Sequence, residues 1–532
     1  MDKRITSIRG ELLEDTPHAR IYEGFPYNEY EAKKPVFTPP EQEFADALAS
    51  ALNARTRSEE WSHRLPTNVA KSFVTPFKMR MITLVESNEL VDKLPSEEDW
   101  ETLHAVLTGL LREHGDIVKD MDAFATYVLD YGVGYAQIGS LLRDPHLEEV
   151  MVNGQKRNVF VYHHRHGTCK TNIFVEAHDP HILRIITKAS KYAGRKFHEH
   201  EPLLDARLPD GSRLNATFET VTPFGHSITI RKFTRNMLSV TQLIANNTLT
   251  FETAAFVWVM TEGMGVKPMN MIITGGSGCG KTTFLNCVGS FIPFGDRVIT
   301  IEDTAELKFF DRENWISMEA QPHTRTNPGT DMNDLLTNAM RMRPDRLIVG
   351  EVRGKEAETL FIAMDTGHQG CMGTLHSNSA REMLVRLTND PMNVPQSLLP
   401  VLDMVVVLQK VNDVKHGLQR RVSQIAEVSH MNQSILLSNL FERHPETDLL
   451  MRTDTPSHLM QVLSDAAGKN KRSILQEILV RQRVLEWMIR HRIFDPADVE
   501  KVVQQYYFDP AGIVDQVTKE LEDINPPPPR KK

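Results

Sequence analysis

One stretch of the sequence decides the fold, and it reads Met271-Ile272-Ile273-Thr274-Gly275-Gly276-Ser277-Gly278-Cys279-Gly280-Lys281-Thr282-Thr283. A short apolar run suited to a buried strand ends at Thr274. From Gly275 to Thr282 the residues match the phosphate-loop pattern G-x-x-x-x-G-K-[ST] at every fixed position. The pattern predicts that Gly275 through Thr283 bind a nucleotide.

The chemistry of a nucleotide explains this spacing. Four glycines let successive backbone N–H groups turn inward and form a nest for phosphate oxygens. Lys281 can reach the β- and γ-phosphates of ATP, and the Thr282 hydroxyl can hold Mg²⁺. Residues 283–288 predict the start of a helix, whose positive end also favours phosphate. The alternative is a glycine-rich turn that matches by chance, and the flanking strand and helix favour the nucleotide.

Length, charge and cysteine content limit the class of protein. The chain has 532 residues, enough for roughly two to four domains. Its formal charge of −9 gives no global basic field, so we expect no nucleic-acid partner. The four cysteines form no C-x-x-C pair, which argues against a zinc module or a disulfide scaffold and fits the cytoplasm. We expect no signal peptide and no membrane-spanning segment, so any membrane association is peripheral or through a partner.

Changes in composition along the chain predict five regions. Residues 1–40 carry several prolines among polar residues and predict an irregular arm. Helical periodicity then predicts a helical N-terminal domain at 41–135. Alternating strands predict a small α+β, PAS-like domain at 136–238, followed by a RecA-like α/β ATPase domain at 239–430. Residues 431–532 predict a helical C-terminal extension with a proline-rich basic tail.

Three histidines lie together at the end of a predicted strand. His163, His164 and His166 raise the question of a metal site. Alternation would point His163 and His164 to opposite faces of the strand, and Arg165 lies among them. We therefore interpret the cluster as a solvated strand end.

Acidic residues end two further strands of the predicted α/β domain. Residues 298–301 lead into Glu302-Asp303-Thr304-Ala305-Glu306, and one of these carboxylates can orient or deprotonate an attacking water. An N-cap by Asp303 with Glu306 in a capping box is the structural alternative. Residues 346–350 then lead into Glu351, a Walker B type arrangement that would hold Mg²⁺ through water or polarise the nucleophile. A strand ending in a solvated glutamate is the alternative there.

A histidine and three arginines complete the candidate site. His376 follows the predicted strand 371–375 and can sense the γ-phosphate or couple it to a neighbouring subunit, whereas a buried structural histidine is the alternative. Arg207, Arg213 and Arg231 lie on strands or turns before the nucleotide domain. Singly each is a solvated charge; together they can contact phosphate, within a subunit or across a boundary.

These elements, in this order, resemble the secretion ATPase superfamily that drives type II secretion, type IV pili and archaella. In that family an Asp box, a Walker B box and a His box follow the phosphate loop, and the matching segments here are 301–306, 347–353 and 367–378. The stretch 341–346 also matches closely. The resemblance covers roughly residues 140–430, and four ordered boxes make it highly specific.

The resemblance implies a homohexameric ring with ATP between subunits. It implies that Glu302 is the catalytic acid and that Arg207, Arg213 and Arg231 contact phosphate. The implied partners are a polytopic membrane platform protein and, indirectly, filament subunits. The implied location is cytoplasmic and peripheral at the inner face of the cell membrane through those partners.

Within the superfamily the chain is most similar to the archaeal branch, which includes the archaellum motor. The cues are residues 224–233, residues 300–307 and the helical N-terminal domain. Bacterial type II ATPases often carry a tetracysteine zinc insert, which this chain lacks. The chain departs from the family after Val428, so archaellum, pilus and secretion use stay open.

Two functions from other classes are the alternatives. A nucleic-acid translocase would share the phosphate-loop ring, but the acidic charge and the lack of a basic, aromatic stripe count against it. A non-catalytic, nucleotide-gated scaffold would not need acids at both strand ends. The sequence therefore predicts a Mg²⁺-dependent ATP hydrolase.

Overall fold

The computed structural model describes residues 8–53, 73–114, 118–233, 237–321, 329–413, 417–431, 434–444 and 446–524. The chain divides into two compact units, Met1–Arg235 and Asn236–Lys532. Among the helices in the ranges given above, none combines the length and the apolar character needed to cross a membrane.

The first unit contains a helical cluster with a core rich in phenylalanine. Phe44, Phe73, Phe77 and Phe124 are all buried in it. One helix begins with a capping box, in which Ser96 accepts the amide of Asp99 while the Asp99 carboxylate accepts the amide of Ser96. The helices of this unit are α1 (Pro39–Asn53), α2 (Thr83–Ser87), α3 (Glu97–Glu113), α4 (Met121–Gly132), α5 (Gly139–Arg143) and α6 (Pro180–Tyr192).

The first unit also contains a nine-stranded sheet. Its strands are β1 (Ile8–Asp15), β2 (Ala19–Phe25), β3 (Asn28–Ala32), β4 (Leu147–Asn153), β5 (Arg157–His163), β6 (Gly167–Val175), β7 (Leu203–Arg207), β8 (Arg213–Thr217) and β9 (Ser227–Arg231). The order is β1-β2-β3-β6-β5-β4-β9-β8-β7, with β3 and β6 parallel and the other neighbours antiparallel. Alternate residues of β5 face the core, as a half-buried strand requires.

The prediction of an irregular arm at residues 1–40 is wrong for the part that the structure describes. Strands β1, β2 and β3 add three members to the sheet. Ile21 and Tyr30 are buried in its core, and each has a buried alanine two residues away on the same face. Pro17 and Pro26 lie in the turns between these strands, where proline favours a turn.

The histidine cluster is not a solvated strand end, because His163 is completely buried. Strand β1, which the sequence did not predict, brings Glu14 to the cluster. The Glu14 carboxylate lies 2.8 Å from Nε2 of His166 and 4.0 Å from Nε2 of His163. The rings of His164 and His166 lie 4.7 and 4.9 Å from that of His163, centroid to centroid. Glu14, His163 and His166 are close enough together to surround one metal ion.

The hydrogen bonds of His163 argue against a metal on that residue. Its Nδ1 accepts the backbone N–H groups of Arg165 (3.2 Å) and His166 (3.3 Å), so the lone pair lies on Nδ1. The proton of the neutral ring then lies on Nε2, the atom that faces Glu14. The Arg165 guanidinium, 3.7 Å from Glu14, adds a positive charge at the same place. The cluster is therefore a buried histidine–carboxylate network.

This network predicts a pH-dependent stability. Burial, together with the neighbouring His164 and His166, lowers the pKa of His163 to about 3 against the opposing effects of Glu14 and Asp144. The unfolded histidine binds a proton near pH 6.5, so stability present above that pH falls as the pH drops toward 3. We expect a loss of about 2 kcal/mol between pH 7 and pH 5, measured by denaturant unfolding.

The variants that test the network differ in burial. His163→Gln should flatten the dependence on pH, whereas the same change at His200, whose side chain is 82% exposed, should leave it intact. An unchanged slope in His163→Gln would assign the effect to other groups.

The second unit is built on a nine-stranded sheet in the order β12-β11-β13-β14-β10-β15-β16-β17-β18. Neighbours from β12 to β15 are parallel, and those from β15 to β18 are antiparallel. The strands are β10 (Met271–Gly275), β11 (Val298–Glu302), β12 (Trp315–Glu319), β13 (Arg346–Val352), β14 (Met372–Leu375), β15 (Met404–Asp413), β16 (Gly417–Met431), β17 (Ser434–His444) and β18 (Leu449–Arg452).

Helices cover both faces of this sheet, which explains why β10 and β11 are buried along their whole length. The helices are α7 (Val240–Ala245), α8 (Phe251–Glu262), α9 (Lys281–Gly289), α10 (Met332–Ala339), α11 (Glu356–Asp365), α12 (Ala380–Thr388), α13 (His458–Ala467), α14 (Lys471–Arg490), α15 (Pro496–Phe508) and α16 (Pro510–Ile524). The predicted fold class, with its α/β core and flanking helical regions, is confirmed.

The predicted start of the helical extension at residue 431 is wrong. Strands β17 and β18 follow, and the described helices of this region begin only at His458. Residues 434–444 pair with β16 as an antiparallel hairpin, so the apolar side chains of this stretch join the sheet core instead of a helix face. The proline-rich tail at 526–532 lies outside the described residues.

Candidate nucleotide-binding site

The glycine-rich loop connects the buried strand β10 to helix α9. Gly278 and Gly280 have φ angles of +63° and +95°, which side-chain-bearing residues adopt only at a cost. A Cβ atom at Gly278 would also lie 2.7 Å from Nζ of Lys410. The loop therefore has the backbone that a phosphate nest requires, and helix α9 begins at Lys281 as its positive end.

Lys281 and Thr282 open the helix at the mouth of this loop. Nζ of Lys281 donates to the carbonyl oxygens of Gly275 (2.9 Å) and Gly276 (3.0 Å). Both side chains are half-buried. The structure places the two residues where the motif predicts the phosphate contact and the metal-binding hydroxyl.

Glu302 lies at the end of β11 and is 2% exposed. One carboxylate oxygen, Oε1, accepts the backbone N–H groups of Glu306 (2.9 Å) and Leu307 (3.0 Å). The other, Oε2, is buried without a hydrogen-bond partner among the described residues. The segment after Glu302 forms no helix, so the alternative of an Asp303 N-cap is wrong and Glu302 itself receives the amides.

Burial raises the pKa of Glu302 to about 7. The two amide bonds act against this shift, and the carboxylates of Glu306 and Glu319 act with it. Glu302 packs over Gly350 of the neighbouring strand β13, where a Cβ would lie 2.8 Å from its Cγ. A carboxylate with such a pKa can accept a proton near neutral pH.

Glu351 follows Gly350 on β13 and has the opposite electrostatic setting. Partial burial acts to raise its pKa, but the hydrogen bond from Arg353 (2.5 Å) and the charges of Arg353, Lys281 and His376 hold the pKa below its ordinary value. Arg353 also lies 3.4 Å from Asp303, so it joins the ends of β11 and β13. Glu351 is therefore ionised at neutral pH.

His376 follows strand β14, next to β10 in the sheet. The Thr274 hydroxyl at the end of β10 makes hydrogen-bond contacts with the carbonyls of Leu375 and Ser377 (both 3.0 Å) and with the Ser377 hydroxyl (2.8 Å). These contacts fix the chain on both sides of His376 against the start of the phosphate loop. The half-buried His376 and Lys281 both act electrostatically on Glu351, so the structure brings these three residues together; their roles stay predictions.

The three predicted arginines form a row in the first unit. Arg207 pairs with Arg213 and Arg213 pairs with Arg231 across β7, β8 and β9, so their side chains share one face of the sheet. Their action on a nucleotide stays a prediction.

Two cationic residues at the loop were missed by the sequence reasoning. Arg420 on β16 donates from Nε to the carbonyl of Gly278 (3.0 Å), and it pairs across the hairpin with Lys410 on β15. The hairpin thus supports the tip of the phosphate loop. A charged pair in a strand after the last family box carries no motif, so only the strand pairing reveals it.

The parallel sheet, the phosphate-nest geometry and the acids at neighbouring strand ends define a RecA-like nucleotide-binding fold. Residues 134–492 match the model of a protein family described as type II/IV secretion system protein. The match covers more than half of the chain, so the chain belongs to this family of secretion ATPases. The resemblance found in the sequence is confirmed.

The chain is also similar to other proteins over parts of its length. Two uncharacterized proteins of Methanocaldococcus jannaschii are 42% and 34% identical to the chain, over 52% and 70% of its length. The chain spans 38% of the first relative and 68% of the second. The VirB11 ATPase of the Brucella suis type IV secretion system is 25% identical, with a TM-score of 0.27, over 53% of this chain and 90% of that one.

The packing of Glu302 over Gly350 predicts the effect of one added methyl group. Gly350→Ala should displace the Glu302 carboxylate and lower the turnover of ATP by ~10–100-fold, because small displacements of a reacting group cost that much. Nucleotide affinity, measured with a fluorescent ATP analogue, should stay within about twofold, since the phosphate loop is untouched. Gly295→Ala, where an added Cβ meets nothing within 4 Å, is the matched control. Full activity in Gly350→Ala would contradict a role of Glu302 in the reaction.

Proposed function

We propose that this chain is the motor ATPase of a pilus-like or archaellum-like filament machine, working as a homohexamer on Mg²⁺ and ATP. The observation that carries the proposal is the placement of Glu302. It is a buried carboxylate with a pKa near neutrality, packed against the strand that bears the ionised Glu351. Such a pair supports hydrolysis more than nucleotide binding alone.

The oxygen atoms of Thr282, at the start of α9, and of Glu351, on β13, fit Mg²⁺. The Thr282 hydroxyl and the ionised, partly exposed carboxylate of Glu351 are the oxygen ligands that this ion accepts, with water filling other positions. When bound, Mg²⁺ would neutralise charge on the phosphates. Thr282 and Glu351 would hold it, while Lys281 and the loop amides bind the phosphate oxygens.

Glu302 would orient and deprotonate the attacking water. Its Oε1 is fixed by two amides, so Oε2 is the atom left to accept a hydrogen bond from water. His376 lies near enough to Glu351 to respond to a change in charge at the phosphates. Arg207, Arg213 and Arg231 would contact phosphate, and contacts of that kind across a subunit boundary would make the ring the active form.

Hydrolysis would move the N-terminal domains against the α/β cores, and a polytopic membrane platform protein would pass that motion to the filament subunits. The chain would then act at the inner face of the cell membrane through this partner. The identity to archaeal relatives supports the archaeal branch of the family. Protein export by a type II or type IV system is the second candidate, because the family description covers both. Loss of surface filaments in a deletion strain would separate the two.

The motor proposal predicts that activity depends on assembly. ATP hydrolysis per chain should rise with protein concentration as hexamers form. The formation of hexamers is measured by sizing in the presence of ATP. Glu302→Gln keeps the shape of the side chain but removes the base, so we expect turnover to fall by ~10²–10⁴-fold while ATP still binds. Glu313→Gln, the same change at an exposed glutamate, is the control. A monomer with full activity would refute the ring.

The pKa of Glu302 predicts the pH profile of the reaction. A general base acts only when it is ionised, so kcat/KM should rise with pH through about 7 and level off above it. Glu351, whose pKa lies below its ordinary value, should not titrate in this range. The profile should be recorded from pH 5.5 to 8.5 with sizing at each pH. A flat profile over this range would contradict the role of Glu302.

A further inference from the structure

Helix α15 lies beyond residue 492, where the match to the family ends. We propose that α15 holds the segment 303–312, and with it the carboxylate of Glu302, in its working position, and that Glu500 is the positioning residue through which it does so. The inference rests on the proposed role of Glu302 in hydrolysis.

The segment after β11 sets the position of Glu302. The carboxylate is held by the amides of Glu306 and Leu307, so it moves when their backbone moves. The phosphate-loop helix α9 holds the same segment, because Asn286 accepts the amide of Lys308 (2.9 Å). The segment therefore lies between the reacting carboxylate and the helix that carries Lys281.

Helix α15 binds the far end of this segment. Oε2 of Glu500 accepts the backbone N–H of Phe310 (3.0 Å). Its other oxygen, Oε1, lies 3.7 Å from the guanidinium of Arg312. Both side chains are buried, with 2% of Glu500 and none of the Arg312 side chain exposed. A buried carboxylate that accepts one particular amide fixes that amide in place, because no water can replace the lost bond.

Helix α15 also fixes the chain that follows α9. Gln504 donates to the carbonyls of Ser290 (3.3 Å) and Ile292 (2.9 Å) and accepts the amide of Phe294 (2.9 Å). The Tyr507 hydroxyl donates to the carbonyl of Phe291 (2.6 Å). Arg312 itself donates to the carbonyls of Ile292 and Pro293, so the two anchored segments also meet each other.

One helix thus fixes both sides of the reaction centre. Residues 290–294 continue from the phosphate-loop helix, and residues 303–312 continue from Glu302. Apolar packing of Val499, Val503 and Tyr506 attaches α15 to the core. Such packing has no preferred direction and does not fix the position of the Phe310 backbone N–H. The hydrogen bond to Glu500 fixes this N–H group, and the hydrogen bonds of Gln504 fix residues 290–294.

The test compares Glu500→Ala with Glu500→Gln in the full chain. Glu500→Ala removes the acceptor of the Phe310 amide, and we expect kcat to fall at least tenfold with KM for ATP and the affinity for a fluorescent ADP analogue within twofold. Hydrogen exchange of a peptide covering residues 303–312 should rise at least tenfold. Glu500→Gln keeps an acceptor oxygen, so it should recover most of kcat. Gln505→Ala, exposed on the same helix, should match the wild type.

The pH profile separates positioning from general destabilisation. In Glu500→Ala the pH midpoint of kcat/KM should move below that of the wild type, because a released Glu302 regains water and ionises more easily. Burial raises the pKa of Glu500 itself to about 7, so Glu500→Gln, which removes this carboxyl but keeps the acceptor, should retain the wild-type midpoint. Loss of melting temperature alone would not move this midpoint. An unchanged kcat, exchange rate and midpoint in folded Glu500→Ala would overturn the proposal.

Gln504→Ala and Glu302→Gln complete the test. If Glu500→Ala does not fold, Gln504→Ala should lower kcat about threefold or more at unchanged KM, and a wild-type kcat there would overturn the inference. If Glu302→Gln retains wild-type turnover, the proposed function fails first. If Glu302→Gln is inactive while Glu500→Ala and Gln504→Ala are normal, only the positioning role fails.

Discussion

The parallel pairing of β10 with β14 on one side and β15 on the other is the constraint on which the site depends. In parallel strands the carboxyl ends meet at one edge, so residues far apart in sequence converge there. The Thr274 hydroxyl makes this convergence specific, because it contacts two carbonyls and a hydroxyl around His376. A different register would leave these buried polar groups unsatisfied, which is costly.

Glu302 and Glu351, on neighbouring strands, lie in opposite electrostatic environments. Glu302 is buried and has a pKa near neutrality, whereas Glu351 has Arg353 beside it and stays ionised. Environments that push two pKa values apart are how one site separates a proton acceptor from a permanent anion. Gly350 makes this possible, because any side chain there would occupy the space that Glu302 fills.

The sequence predicted those parts of the site that carry a short local pattern. The phosphate loop, Glu302, Glu351 and His376 each follow an apolar strand, and this context alone locates them. It could not predict the arm, because prolines that serve as turns between short strands look like those of an irregular segment. Arg420 and Glu500 were equally hidden, since their roles exist only through partners more than a hundred residues away, Gly278 and Phe310.

The C-terminal helices show what such long-range partners contribute. Arg481 of α14 pairs with the buried Glu262 of α8 (2.8 Å), as Glu500 of α15 meets Arg312. Buried ion pairs add little net stability, because removing two charges from water costs about what their attraction returns. Apolar contacts with Trp258 and Phe291 supply the attachment. The ion pairs instead exclude other positions of α14 and α15 on the core, since any shift of either helix would leave a buried charge unpaired. The extension is therefore held in one position on the core. The proposed role of α15 in positioning residues 303–312 requires this.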